Sequence, residues 1–327
     1  MNQLAAGKNM ETGKPGFDFK HSLAPMVRLL SLLALCVLLS FLNPNFLTLK
    51  NIINVLRQTT ILAVLGLGLT AVILTAGIDL SVGGVIALVG CLTAQLIINH
   101  VPIAAAILIG VGVGALIGAL NGVMVAKIGL PAFVATYGMM WIAQGLAQIL
   151  MQGKIVFGLP EEFLWLGTGY IGIIPAPVII TLVLAVVFHC FLHQTVYGRE
   201  IYALGANRSA ADYSGIRTTN TLIMVYTLSG VTAAIAALLM TARLDAAEAG
   251  MGEPFLMQSI ATVVMGGTSL LGGEGGIPGT MIGALILTLV VNGLNLMGVS
   301  SLIHPIVTGA VILLAVFFDI VTRRWSE

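Results

Sequence analysis

The chain has 327 residues, of which 58% are hydrophobic and 8% charged, and its formal net charge is +1. Soluble domains carry about 25% charged residues, so these proportions exclude an ordinary soluble globule and imply a chain embedded in a membrane. The near-neutral balance, without a dense basic block, excludes a nucleic-acid partner.

The first residues, 1–25, are polar and lysine-bearing and read as a cytoplasmic tail. The apolar run after Met26 has no small-residue cleavage site behind it, so it reads as a retained first span. A bilayer core takes about 20 apolar residues as a helix, range about 17 to 25. Ten runs fit: 26–42, 61–77, 80–98, 101–125, 131–151, 173–194, 221–241, 255–271, 279–297 and 303–319. They make one transmembrane domain over 26–320, with a cytoplasmic loop at 195–220 and a short tail at 321–327.

Between spans two and three lies LTAGIDLSVGG, Leu74 to Gly84, with a carboxylate amid apolar residues. Gly77 ends span two, and Asp79 with Ser81 is placed to cap the helix that begins at Leu80. The alternative is a break in a discontinuous helix, deeper in the bilayer, whose backbone lines a cavity. Either way Gly77, Asp79 and Ser81 form a hinge.

In span four, Gly110, Gly114, Gly118 and Gly122 recur every four residues, a stripe on which another helix packs closely. Span five carries Tyr137, Trp141, Gln144 and Gln148 on one narrow face. An aromatic face stacks on a sugar ring, and amides both donate to and accept from hydroxyls. The competing reading is that the amides bond neighbouring helices. Thr288, Asn292 and Asn295 make a similar stripe in span nine. Neither stripe holds a full charge, so a neutral polar cargo fits best.

Three cysteines, Cys36, Cys91 and Cys190, sit singly in apolar runs and read as inert thiols. His189 and His193 have the spacing of a metal pair but no completing carboxylate, and read as interfacial rings. No nucleophile has a partnered base, so neither catalysis nor a cofactor or metal is expected in this chain.

The loop YGREIYALGANRSAADYSGIRTTN, Tyr197 to Asn220, predicts a very short surface helix. Ser209 and Asp212 suit a capping box, Ala210 and Ala211 favour helix, and Gly215 suits the position past its end. So short a helix is marginal alone, which implies a docking partner. GGTSLLGGEGGIPGT, Gly266 to Thr280, lacks the Gly-Lys-Ser/Thr ending of a phosphate loop and reads as a tight inner turn.

Orientation follows from basic residues. With the start inside, Lys8, Lys14, Lys20, Arg28, Lys127, Arg199, Arg208, Arg217, Arg323 and Arg324 are inner, and Lys50, Arg57, Lys154 and Arg243 outer. That asymmetry puts both termini in the cytoplasm. Thr75-Ala76-Gly77-Ile78-Asp79 recurs 166 positions on as Thr241-Ala242-Arg243-Leu244-Asp245, and Ile117-Gly118-Ala119-Leu120 recurs 165 on at Ile282 to Leu285. Span two then matches span seven, an odd shift, so the two halves are inverted repeats.

NPNFLTLKNIINVLRQ, LTAGIDLSVGG, PAFVATYGMM, YGREIYALGANRSAADYSGI and MGGTSLLGGEG followed by GTMIGALI together resemble the permease subunits of ribose-type monosaccharide ABC importers, over Asn43 to Asp319. The resemblance implies a core of two permeases, homodimeric or heterodimeric, in a bacterial inner membrane. It also implies a pair of cytoplasmic ATPases and an external sugar-binding protein. Gly205, Asn207, Arg208, Ser209, Ala210, Ala211, Asp212 and Gly215 then dock the ATPase. Glu161, Glu162, Asp245, Glu248 and Glu253 become candidates to touch the binding protein. The expected function is ATP-driven import of a neutral monosaccharide, a ribose-like pentose or a hexose, by alternating access. Rival readings are a self-sufficient ion-coupled carrier or channel for small polar solutes, or the same machine with a branched-chain amino acid or a furanose-like signal molecule as cargo.

Overall fold

The computed structural model describes residues 19–311 together with 313 and 314. Most of residues 1–25, the end of the expected tenth span and the tail at 321–327 lie outside them. The chain is helical almost throughout: α1 (Phe19–Leu42), α2 (Leu49–Leu74), α3 (Val82–Ile98), α4 (Ile103–Val123, continued as a π turn over Met124–Ile128), α5 (Ala132–Met151), α6 (Glu161–Thr168), α7 (Ala176–Gln194), α8 (Val196–Ala206), α9 (Arg208–Tyr213), α10 (Thr218–Leu244), α11 (Glu253–Met265) and α12 (Ile277–Leu296). Residues 304–311 begin a further helix.

Among the described residues, six helices are long and apolar enough to cross a bilayer: α2, α4 with its π turn, α5, α7, α10 and α12. Length and composition alone thus support six of the ten expected spans among the described residues. The apolar part of α1 and all of α3 fall short of that length. α11 has 13 residues where 255–271 was expected, because the chain turns at Gly266 and Gly267, the latter with φ 81°. α2 is longer than expected. Thr48 accepts from the Asn51 amide as its cap, and Lys50, Asn51, Asn54, Arg57 and Gln58 occupy the first turns ahead of the apolar run.

α10 is the centre of the bundle, packed on α2, α3 and α4. The glycine stripe explains the α4 contact. A Cβ on Gly114 would stand 2.5 Å from the Gly230 carbonyl oxygen, and one on Gly122 would stand 2.6 Å from Ile223 Cα. Without side chains there the two backbones approach closely, the means by which membrane helices gain packing when lipid is as apolar as leucine. On the periphery Leu108, Leu116, Leu182, Val183 and Val186 are exposed, an apolar outer face suited to lipid.

The connections sort to two ends. One end gathers 124–131, α8, α9 and 266–276, with Arg28 of α1 laid against Gly267 and Gly279. The opposite end gathers α6, two short antiparallel pairs, Val156–Phe157 with Ala246–Ala247 and Tyr170–Ile171 with Ile174–Pro175, and the Asn43 amide bonded to the Leu296 carbonyl at 2.7 Å.

Candidate gate and coupling site

α2 stops at Leu74 and α3 starts at Val82; the seven residues between are not α-helical, and Ala76 takes φ 58°. This link carries Asp79 into the protein, where it is 0% exposed. Its Oδ1 accepts from the Ser81 amide at 2.9 Å and the Ser81 hydroxyl at 2.6 Å, and its Oδ2 accepts from the Ser229 hydroxyl of α10 at 2.7 Å. Asn121 of α4 donates to Ser81 Oγ at 2.8 Å. Thr136 of α5 accepts from the Leu80 amide at 3.1 Å and donates to the Ala132 carbonyl at 2.8 Å. Three helices therefore close on the link, α10 on the carboxylate itself and α4 and α5 on Ser81 and Leu80 beside it.

Depth follows from helix rise. Ser229 stands roughly 16 Å, and Asn121 and Thr136 on the order of 6 to 10 Å, along their helices from the ends nearest α9, at 1.5 Å per residue. Asp79 is thus well inside the bundle rather than at its rim. It also does not cap α3 as expected. Ser81 is the N-cap residue and makes no side-chain cap bond, while Asp79 gathers donors from its own link and from α10. The arrangement matches the discontinuous-helix alternative: a break whose polar groups are satisfied by neighbouring helices.

The start of the link is bolted to the 195–220 loop. Leu74 oxygen accepts from the Gly273 amide at 2.9 Å, and Gly205 of α8 lies so close that a Cβ there would collide with that same oxygen. Gly272, with φ 86°, brings its own Cβ position to 2.9 Å from the Ala76 nitrogen. Tyr202 of α8 donates to the Gly275 carbonyl at 2.9 Å; its burial pushes the phenol pKa up, so it stays a donor. The glycine-rich string is thus a turn, as expected, and its function in the fold is to let three backbones meet.

α8 and α9 form an elbow. The expected short helix is present as α9, but its cap is Asn207, whose side chain accepts from the Ala210 amide at 2.9 Å. The proposed capping box does not form: Asp212 instead accepts from Thr218 at 2.5 Å, tying α9 to α10. Gly215 has φ 82° just past the helix end, the conformation expected of it. Ala211 is buried, and Arg208, Ser209, Ala210, Asp212 and Gly215 face outward. Tyr213, 92% exposed, stands with them. His193 stacks on Tyr202 at 5.9 Å and meets His189 at 4.5 Å with the rings tilted by 56°, so the histidine pair packs over the elbow's root.

The two polar stripes are not brought together. On α5, Tyr137, Trp141 and Gln148 face outward and Gln144 turns inward to the Ala249 carbonyl. Phe133 adds to the stripe by stacking on Tyr137 at 5.7 Å, and Tyr137 meets Trp141 edge-on at 6.3 Å. On α12, Thr288 and Asn292 are buried and Asn295 is exposed. Asn292 exchanges amide bonds with Asn51 of α2 at 2.8 and 3.1 Å, the helix-to-helix role weighed as the competing reading.

At the opposite end Glu161, Glu162, Glu248 and Glu253 are exposed. Asp245, with φ 49°, is half-buried and accepts from the Leu159 amide at 2.7 Å, so it fastens a loop. Arg57 donates to the Thr168 carbonyl at 2.6 Å and lies 4.7 Å over the Tyr170 ring.

Sequence reasoning missed Asn121, Thr136, Tyr226 and Ser229 around Asp79. Asn121 carried a signal: it is the one amide in the apolar run 101–125.

Comparison with known proteins fits this architecture. The family described as "Branched-chain amino acid transport system / permease component" matches residues 51–316. The chain belongs to this permease family. It is 44% identical to the ribose import permease protein RbsC of Escherichia coli (strain K12), over 79% of this chain and 81% of that one. It is 39% identical to the RbsC of Haemophilus influenzae over 84% and 87%, and 40% identical to the D-allose transport system permease protein AlsC of Escherichia coli over 75% and 76%. No solved structure matches. The protein is therefore a multi-pass membrane permease component, and ATP hydrolysis belongs to a separate subunit.

Proposed function

We propose that this chain is the membrane subunit of an ATP-driven importer that carries a neutral monosaccharide, ribose or a close relative, into the cell by alternating access. The cargo reading rests on relatives named for ribose, D-allose and galactofuranose, and on stripes that hold no full charge. In this reading ten spans in two inverted halves lie in a bacterial inner membrane with both termini inside. The permease pairs with a second permease copy, and an external binding protein delivers sugar to the end that exposes Glu161, Glu162, Glu248 and Glu253.

The observation that carries the coupling mechanism is the junction of Gly205, Leu74 and Gly273. An ATPase pressing on the outward residues of α9 moves α8, and α8 bears directly on Leu74, the last residue before the Asp79 link. Gly77, Asp79 and Ser81 then act as the hinge, and the α5 face with Tyr137, Trp141 and Gln148 lines the sugar path against the second copy. Replacing Ala210 and Ala211 by proline removes two amide donors of the α9 cap. In reconstituted vesicles with the ATPase and binding protein, that variant is expected to lose labelled ribose uptake at least tenfold and to lose stimulation of ATP hydrolysis. Unchanged uptake and stimulation reject the coupling role. Competition of ribose uptake by leucine, but not by allose, rejects the sugar assignment.

A further inference from the structure

The Asp79 carboxylate raises a question of charge that the transport reading leaves unanswered. Among the described residues the groups that meet it are two hydroxyls and one amide N–H, all uncharged. A buried ion without a countercharge costs several kcal/mol even after relaxation. Two further oxygens close by are also unpartnered. Asn121 donates its amide to Ser81 Oγ, whose own proton is committed to Asp79, so the relay fixes the amide orientation and leaves Asn121 Oδ1 with no hydrogen bond. Tyr226 is likewise fully buried; its hydroxyl meets no hydrogen-bond partner within ordinary distance and angle and lies 2.7 Å from where a Cβ on Gly77 would stand.

We propose that this cluster binds a monovalent alkali cation, held by the Asp79 carboxylate with Asn121 Oδ1, the Tyr226 hydroxyl and the Ser81 and Ser229 oxygens. The chemistry of the donors selects the class. Every one is a hard oxygen and none is a thiolate or imidazole, which excludes soft transition metals. One carboxylate among neutral oxygens balances a single positive charge and falls short of the several anionic ligands that divalent sites gather. A crevice between the link and the elbow, lined by Val125, Pro131 and Asn207, reaches Gly77 and Tyr226 at the edge of this cluster. The cation then ties α4 and α10 to the link, so its site is independent of which sugar the permease carries.

Two measurements on the full-length protein in detergent test this. Thermal unfolding at constant ionic strength is compared in sodium, potassium and choline chloride, and equilibrium binding is measured with radioactive sodium and rubidium. The expected result is an unfolding midpoint several degrees higher in sodium or potassium than in choline, with saturable binding of the matching isotope. Tyr226→Phe, which keeps the ring, should raise the half-saturating concentration severalfold, and Asp79→Asn should abolish the salt difference. Should Asp79→Asn fail to fold, the wild-type and Tyr226→Phe data still decide. Equal midpoints in all three salts with no saturable isotope binding overturn the proposal, whether the carboxylate is then neutralised by a proton or hydrated by buried water.

Discussion

Gly205→Ala places one methyl group at the junction through which the elbow reaches the Asp79 link. The new Cβ would overlap the Leu74 carbonyl oxygen and stand 2.6 Å from the Gly273 nitrogen, about 0.8 Å inside the 3.4 Å where ordinary contact begins. Both neighbours are backbone, so no rotamer change relieves the clash. Overpacking of this kind costs about 1 to 3 kcal/mol, and parting Leu74 from Gly273 forfeits a hydrogen bond worth about 1 kcal/mol. Alanine in a helix returns up to about 1 kcal/mol relative to glycine. The net is on the order of 1 to 3 kcal/mol, too small to unfold the bundle and large enough to lift α8 from the end of α2. With tenfold per 1.4 kcal/mol, a bias of 2 kcal/mol against the docked elbow lowers its population by about 30-fold. The expectation is an assembled complex whose sugar uptake falls at least tenfold while ATP hydrolysis continues, raising the ATP consumed per sugar. Wild-type uptake with an unchanged ATP-to-sugar ratio would refute the claim that force passes through this junction.

Three other substitutions probe separate parts of the structure. Asn292→Leu leaves Asn51 Oδ1 without its donor; buried orphans cost about 1 to 3 kcal/mol, but interhelical bonds in membranes average about 0.6, so a loss near 1 kcal/mol is expected by denaturant unfolding. The double variant with Asn51→Leu should recover much of it, and normal uptake in that double variant removes Asn292 from the sugar path. Gly230→Val drives a side chain into the Gly114 backbone and should abolish monodisperse protein on size-exclusion chromatography, whereas Gly112→Ala, which meets nothing within 4 Å, should behave as wild type. Arg57→Met keeps the aliphatic stem but removes the bond to Thr168 and the charge over Tyr170. Its loss of about 1 to 2 kcal/mol should appear as faster proteolytic nicking between residues 168 and 175, with uptake little changed.

Much of the fold was legible because apolar run length and glycine spacing are local quantities. The α4 stripe faced a helix, as a four-residue period of glycines requires, and the string was a turn over 266–276, its last four residues opening α12. Helix ends were less legible, since α2 carries polar residues through its first turns under the Thr48 cap, and α11 stops where Gly267 adopts a left-handed angle. The α9 cap was misassigned by two residues because Asn207 and Ser209 are both good caps and only the path of α8 decides between them. Helical periodicity placed Gln144 with Tyr137 on one face of α5 but could not say that Gln144 alone lies against the 245–252 turn. Nor could it pair Asn292 with Asn51, 241 positions earlier.

The repeated word shows most plainly what position in the fold adds to sequence. Thr75 to Asp79 and Thr241 to Asp245 share their residue pattern; the first follows the long central helix α2, and the second closes α10. The first aspartate is turned inward because a glycine, Gly77, follows Ala76 and lets the Tyr226 hydroxyl lie against the chain. In the second word that position is Arg243, still within α10, so the helix continues to Leu244 and its aspartate emerges at the bundle's other end to hold Leu159. The words differ at Gly77 against Arg243 and at Ile78 against Leu244, and the glycine marks the buried carboxylate while the arginine precedes the loop fastener. The consequence, among the described residues, is that the deep polar break lies at the end that meets α8, where a movement of the elbow reaches it.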